Sequence, residues 1–92
     1  MNCQRFKGVW IPKEIMLDKN LTALEKIIFG EINTLGGSPQ GCYATNKYLA
    51  SCCGCSETKI SNAISKLISL GYLKPKRSKN NERVLITPLQ IL

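Results

Sequence analysis

The residues whose type and spacing could first do chemistry are five cysteines: Cys3, Cys42, Cys52, Cys53 and Cys55. Cys52-Cys53-Gly54-Cys55 holds a C-x-x-C spacing, which suits two zinc ligands or a redox pair. A tetrahedral zinc site needs two more donors. The sequence has no histidine, so these would have to be Cys3, Cys42 or a carboxylate, and no second paired motif supplies them. A thioredoxin-like centre needs a βαβ setting, which is also missing. The lack of histidine removes the commonest general base as well. There is no phosphate-binding glycine loop and no acid pair with an evident shared site. No catalytic residue, cofactor or metal ligand is therefore expected, and the cysteines are read as small buried hydrophobes. Their odd number, in a chain expected in the cytoplasm, argues against a disulfide framework.

Charge points elsewhere. The sequence carries 13 Lys and Arg against 6 Asp and Glu, a formal charge of +7. Residues 1–44 are nearly balanced. Residues 45–83 hold Lys47, Lys59, Lys66, Lys74, Lys76, Arg77, Lys79 and Arg83 against only Glu57 and Glu82. A positive field confined to the second half points to a polyanionic partner, nucleic acid first. No apolar run is long enough to span a membrane, and the N-terminus lacks the basic-then-apolar order of a signal peptide.

The elements that must position these groups can be read from caps and periodicity. Val9-Trp10-Ile11-Pro12 is extended, because a residue before proline avoids the α region. Pro12 starts one helical turn over Lys13 to Leu17, and Trp10 is read as a core anchor under the first long helix. That helix opens on the capping box Thr22-x-x-Glu25. Leu24, Ile27, Ile28, Ile32 and Leu35 make its apolar stripe, and Gly36-Gly37 stops it. Ser38 to Gly41 is a turn, and Cys42-Tyr43 is a short strand. Thr45 caps a helix over 46–53, which Gly54 ends. Ser56 caps a third helix with Ile60, Ala63, Ile64, Leu67 and Ile68 on its inner face, terminated by Gly71. Tyr72-Leu73 open a strand broken by Pro75, the cluster at 78–81 turns, and Arg83 to Thr87 return. The expectation is one domain over 1–92, mainly α with a small β-hairpin (α+β). Residues 1–8 are expected to be loose, and 89–92 an apolar tail.

Within this order, Ala50, Gly54, Ser56, Ile60 and Ala63 form a constellation. Two steeply crossing helices need a small residue at the crossing, a positive φ in the turn, a cap on the second helix and apolar residues one turn apart on its inner face. Those five residues supply them in that order. Tyr48-Leu49-Ala50 through Leu67, with Gly71-Tyr72-Leu73, resemble the winged helix-turn-helix family. Val9 to Leu17 with Leu21-Thr22-x-x-Glu25-Lys26 resemble one subgroup: the winged-helix domains of replication initiators and replisome organisers of phages, plasmids and other mobile elements. The resemblance spans residues 9–87. Members of that subgroup usually carry a further C-terminal domain, whereas this sequence ends after the hairpin, so it implies no helicase loading through such a domain.

The resemblance implies a DNA-binding protein with three helices and a C-terminal wing. Residues 57–70 would lie in a major groove as the recognition helix. Thr58, Lys59 and Asn62 would meet base edges, with Asn62 suited to adenine and Lys59 to guanine. Ser61, Ser65, Lys66 and Lys47 would take phosphates. The basic wing, with Lys74, Lys76, Arg77, Lys79 and Arg83, would follow the backbone. In this register Cys53 and Cys55 stand where Leu and Val usually flank the turn glycine. Tyr43 and Tyr48 are read as core or hairpin packing rather than base-stacking platforms. Two other functions stay open. One is single-strand binding, which would show as aromatic platforms on the basic face. The other is a protein-interaction module, or a homodimer, using the apolar tail Leu89 to Leu92.

Overall fold

Three of the helices start where a side chain answers backbone N–H groups that have no partner within the helix. The computed structural model describes residues 9–35 and 42–87. The elements are α1 (Lys13–Met16), α2 (Ala23–Leu35), α3 (Asn46–Cys53), α4 (Glu57–Ser69), β1 (Lys74–Arg77) and β2 (Arg83–Ile86). At α2 the capping box is reciprocal: Thr22 N–H donates to Glu25 Oε1 at 2.8 Å, and Glu25 N–H donates to Thr22 Oγ1 at 3.2 Å. Thr45 Oγ1 accepts from Tyr48 N–H at 3.1 Å, and Ser56 Oγ accepts from Lys59 N–H at 3.1 Å. Between α3 and α4, Gly54 takes φ 68° and ψ 36°, and the N–H groups of Gly54 and Cys55 both turn back to the Ala50 carbonyl. Helices of this size gain most of their stability from the face they bury. For α4 that face is Ile60, Ala63, Ile64 and Leu67.

The expected architecture is present, mainly α with a small hairpin wing. The short α1 turn adds a fourth helix, and Pro12 serves as its N-cap rather than its first residue. The expected helix stop at Gly36-Gly37, the turn at 38–41, residues 1–8 and the tail at 89–92 lie outside the described residues. Ile15, Leu21, Ile28, Phe29, Ile32, Leu49, Ile60, Leu67, Leu73 and Leu85 belong to one buried cluster drawn from every part of the described chain. Among the described residues no helix is long and apolar enough to cross a membrane.

Two expectations about α2 need correction. The stripe holds neither Ile27 nor Leu35, which are 42% and 38% exposed. The middle of the helix instead buries Ile28, Phe29, Gly30, Glu31 and Ile32 in succession. Five consecutive residues go fully round a helix of 3.6 residues per turn, so α2 is covered on every side there. The segment before α1 provides one of those covers. A Cβ on Gly30 would stand 2.9 Å from Ile11 Cγ1, 3.2 Å from Val9 Cβ and 3.3 Å from the Trp10 carbonyl. Extended chain alternates its side chains, so with Val9 and Ile11 turned to α2, Trp10 points away. It is 52% exposed and anchors nothing in the core.

The hairpin is an antiparallel pair with Pro75 opposite Leu85, inside β1 rather than breaking it. Leu85 spends both its N–H and its carbonyl on Cys42, at 2.9 and 2.8 Å. Both groups of a strand residue point the same way in an antiparallel ladder. Leu85 therefore turns neither toward Pro75, and the missing proline N–H costs no ladder bond.

The cysteines mostly follow the expectation of core packing. Cys42 is buried, Cys53 and Cys55 pack half-buried against the core, and all three are free thiols. Cys52 departs from it and is disulfide-bonded. Among the described residues no group of three or more cysteines and acids could hold a metal ion.

Glu31 is the one buried charged residue among the described residues, 1% exposed. Its Oε2 accepts from Cys53 Sγ at 2.6 Å, and its Oε1 has no partner among the described residues. Burial raises its pKa, and the thiol hydrogen bond pulls the other way without cancelling the rise. Burial first, and the facing carboxyl second, push the Cys53 thiol strongly up.

Two predictions follow from this packing. Gly30→Ala gains about 1 kcal/mol of helix propensity but overpacks against Val9 and Ile11, which costs about 1–3 kcal/mol. The denaturation midpoint falls; a rise would show that the Val9–Ile11 cover is not packed there. For Glu31, a folded pKa above the ordinary 4.5 means the folded state holds the extra proton. Stability from this group is then complete below about 4.5 and is lost as pH climbs toward the raised value. Glu31→Gln cannot titrate, so the stability difference between variant and parent shifts toward the variant as pH rises above 4.5. Urea titrations at several pH values measure it, and parallel stability curves would refute it.

Candidate nucleic-acid interface

At 100° per residue, the side of α4 opposite its buried face carries Thr58, Asn62, Ser65 and Ser69, one above another. All four are exposed. The strip is uncharged and made of hydroxyl and amide groups, which can donate and accept hydrogen bonds. Ser69 was not singled out from the sequence. It extends the strip, with its hydroxyl turned to the Lys66 carbonyl at 2.8 Å. Ser61 and Glu57 flank the strip on one side, both exposed, and Lys59 and Lys66 flank it on the other.

The two flanking lysines differ. Lys59 is exposed and shares a groove with Asn62 and with Thr22, Leu24 and Glu25 at the start of α2. Lys66 is half-buried and ion-paired, with Nζ 3.0 Å from Glu25 Oε1. Burial raises the Glu25 carboxyl, but the Thr22 N–H and the Lys66 ammonium outweigh it and hold that carboxyl below its ordinary range. One carboxylate thus caps α2 and fastens α4 to it. At the far end of α4, the Tyr72 hydroxyl donates to Asp18 Oδ2 and holds that carboxyl low, and the Tyr72 ring meets Phe29 edge-on at 6.3 Å.

On the hairpin, all of β1 is exposed, so Lys74, Lys76 and Arg77 stand free of the core, as does Lys79 in the turn. The turn is closed by Ser78, whose N–H donates to the Glu82 carbonyl at 3.0 Å and whose Oγ accepts from Asn80 and Glu82 N–H. Asn81 takes a left-handed φ of 62° there, a conformation that asparagine tolerates. Arg77 Nη1 rests on the Asn81 carbonyl at 3.2 Å.

Arg83 behaves differently from the other hairpin cations. It is half-buried, with Nη2 2.7 Å from the Ala44 carbonyl and Nη1 2.5 Å from Asn46 Oδ1. Its guanidinium therefore binds the hairpin to the start of α3, where Lys47 is exposed one residue on. Burial lowers its pKa from the usual value, with Arg77 pulling the same way and Cys42 opposing.

Tyr43, expected in core or hairpin packing, is 46% exposed. It borders two grooves. One runs along the hairpin with Lys76, Arg77, Lys79 and Glu82, and the other runs between the hairpin and α3 with Asn46, Arg77 and Glu82. The sequence did hold a signal for this. If Cys42 points into the core from a short strand, the next side chain must point out.

The structure thus gathers Lys59 and Asn62 into one groove, and Lys76, Arg77 and Lys79 into another around Tyr43. Thr58, Ser61 and Ser65 stand open along α4, Lys74 on β1 and Lys47 on α3. Lys66 and Arg83 are engaged with partners inside the protein.

Residues 19–73, from the loop before α2 to the entry of the hairpin, match the family model for a helix-turn-helix domain. A solved structure described as "N-Terminal domain of DNA binding protein" aligns over 97% of this chain and 79% of its own, with a TM-score of 0.70 and 20% identity. At that identity the likeness concerns the fold. No curated protein matches the sequence. With capped α3, left-handed Gly54 and the inward face of α4 all inside a match covering more than half of the chain, the protein belongs to the helix-turn-helix domain family, and its hairpin gives it the winged form of that fold.

Proposed function

We propose that this protein binds duplex DNA, with α4 in the major groove and the hairpin along the neighbouring backbone. One observation carries the reading. The exposed side of α4 is a strip of neutral hydrogen-bonding groups, and the free cations stand beside it and on the hairpin. Base edges are read by donors and acceptors, and phosphates are held by charge. The neighbour described as a DNA-binding protein's N-terminal domain supports the same reading.

In this reading Asn62 takes adenine and Lys59 takes guanine. Thr58, Ser61 and Ser65 complete the contacts along α4. Lys47, Lys74, Lys76, Arg77 and Lys79 hold phosphates. Lys66 and Arg83 add to the positive field while their hydrogen bonds keep α4 and the hairpin in place. A single α4 reads one half-site, so tight specific binding uses a second copy or a partner. Replication of a phage or other mobile element is the process that the resemblance of residues 9–26 favours.

Fluorescence anisotropy of labelled duplexes at several salt concentrations tests the proposal. Binding weakens steeply with salt. Lys76→Ala/Arg77→Ala weakens it on every duplex and lowers the salt slope by about two, roughly one per phosphate lost. Asn62→Ala costs about 1–3 kcal/mol on the preferred site and relaxes the choice at one base pair. If no duplex is bound at low salt, the basic hairpin is a protein-docking surface instead.

A further inference from the structure

We infer that Tyr43 is a stacking platform for an unpaired nucleobase, seated between the hairpin and the start of α3. The preferred ligand is then a duplex carrying a single-stranded extension. This rests on the duplex reading above and adds to it the form of the DNA.

Tyr43 keeps 46% of its surface exposed, although the residue before it is fully buried and the residue after it is half-buried. The backbone beneath the ring is held on both sides. Cys42 makes two hydrogen bonds to Leu85, at 2.8 and 2.9 Å, and the Ala44 carbonyl accepts from Arg83 at 2.7 Å. An aromatic ring presented from fixed main chain gives up little conformational freedom when a ligand covers it. Every nucleobase has a π face, so such a ring binds unpaired bases with little regard to sequence.

The groups around the ring can divide a nucleotide between them. Lys76, Arg77 and Lys79 line the grooves beside Tyr43, as does Arg83, which is already bonded to Ala44 and Asn46, and Glu82 stands among them. A carboxylate repels phosphate and accepts a hydrogen bond from an exocyclic amine. The cations then take the backbone, and the ring takes the base. A base inside the duplex cannot reach the ring, because its neighbours cover both its faces. The platform acts only where the strand has left the helix.

Anisotropy with three DNA probes tests this: a blunt duplex, the same duplex with a short single-stranded extension, and the extension strand alone. The protein binds the extended duplex about tenfold more tightly than the blunt one. Tyr43→Leu abolishes that difference and leaves blunt-duplex affinity unchanged, whereas Tyr43→Phe and Tyr43→Trp retain it. A 2-aminopurine at the first unpaired position is quenched by the parent protein and not by Tyr43→Leu. Equal affinity of the parent protein for blunt and extended duplex overturns the inference, as does a Tyr43→Leu variant that keeps the preference. Failure of the duplex reading shows differently, as no binding of the blunt duplex at low salt. Thermal unfolding of each variant identifies any that loses its fold; if Tyr43→Leu does, Tyr43→Ser takes its place, with the same expected loss of preference and of quenching.

Discussion

The two backbone hydrogen bonds between Cys42 and Leu85 are the constraint on which the site depends. They form an isolated bridge, in place of the expected strand at Cys42-Tyr43, that ties the hairpin to the segment leading into α3 and so fixes the hairpin against the helices. Several features follow from this one pairing. Pro75 is tolerated in β1 because Leu85 has already turned its polar groups the other way. Arg83, two residues from Leu85, comes within reach of the Ala44 carbonyl and Asn46. Tyr43, next to Cys42, is placed outward beside the hairpin cations. An isolated two-stranded ribbon is marginal in water; the pairing, with Leu85 in the core and Arg83 on Ala44 and Asn46, gives the charges on the hairpin a set position.

The helical part is held by a different device, a few polar groups used more than once. Glu25 caps α2 through Thr22 and receives Lys66 from α4. Asp18 receives Tyr72 from beyond the end of α4, and the Tyr72 ring packs on Phe29. These contacts lie on the surface and join segments far apart in sequence, around a core that is nearly all apolar. Glu31 works against that economy, since it keeps one carboxyl oxygen buried with no partner among the described residues. A buried polar atom without a hydrogen bond is destabilising, and here it sits at the junction of α2 and α3 beside the Cys53 thiol.

Local signals in the sequence gave reliable information where the physics itself is local. The caps at Thr22, Thr45 and Ser56 and the left-handed Gly54 depend on residues within a few positions, and all were legible. So was the inner face of α4, whose period is clean. Positions that depend on what lies across from them were not. Ile27 has the right spacing for the α2 stripe, but it is Val9 and Ile11 that decide which sides of α2 are covered. Trp10 is large and apolar, yet strand alternation between two inward neighbours turns it out. Lys66 and Arg83 look like any other cations in the sequence. Only the packing of α2 against α4, and of the hairpin against α3, gives each a partner.

That last distinction bears on how a basic face can be specific at all. Free lysines and arginines attract any nucleic acid, and the attraction carries no sequence information. In the proposed duplex reading, specificity requires that the neutral groups on α4 arrive at base edges in a fixed register. The register is set by how α4 and the hairpin are held to each other. Lys66 fastens α4 to α2 and Arg83 fastens the hairpin to the start of α3, and both keep their positive charge. Lys74, Lys76, Arg77 and Lys79 keep their charge in solvent, available to a partner. The cations of the second half thus divide between those that build the surface and those that use it, and a count of charges alone does not separate the two.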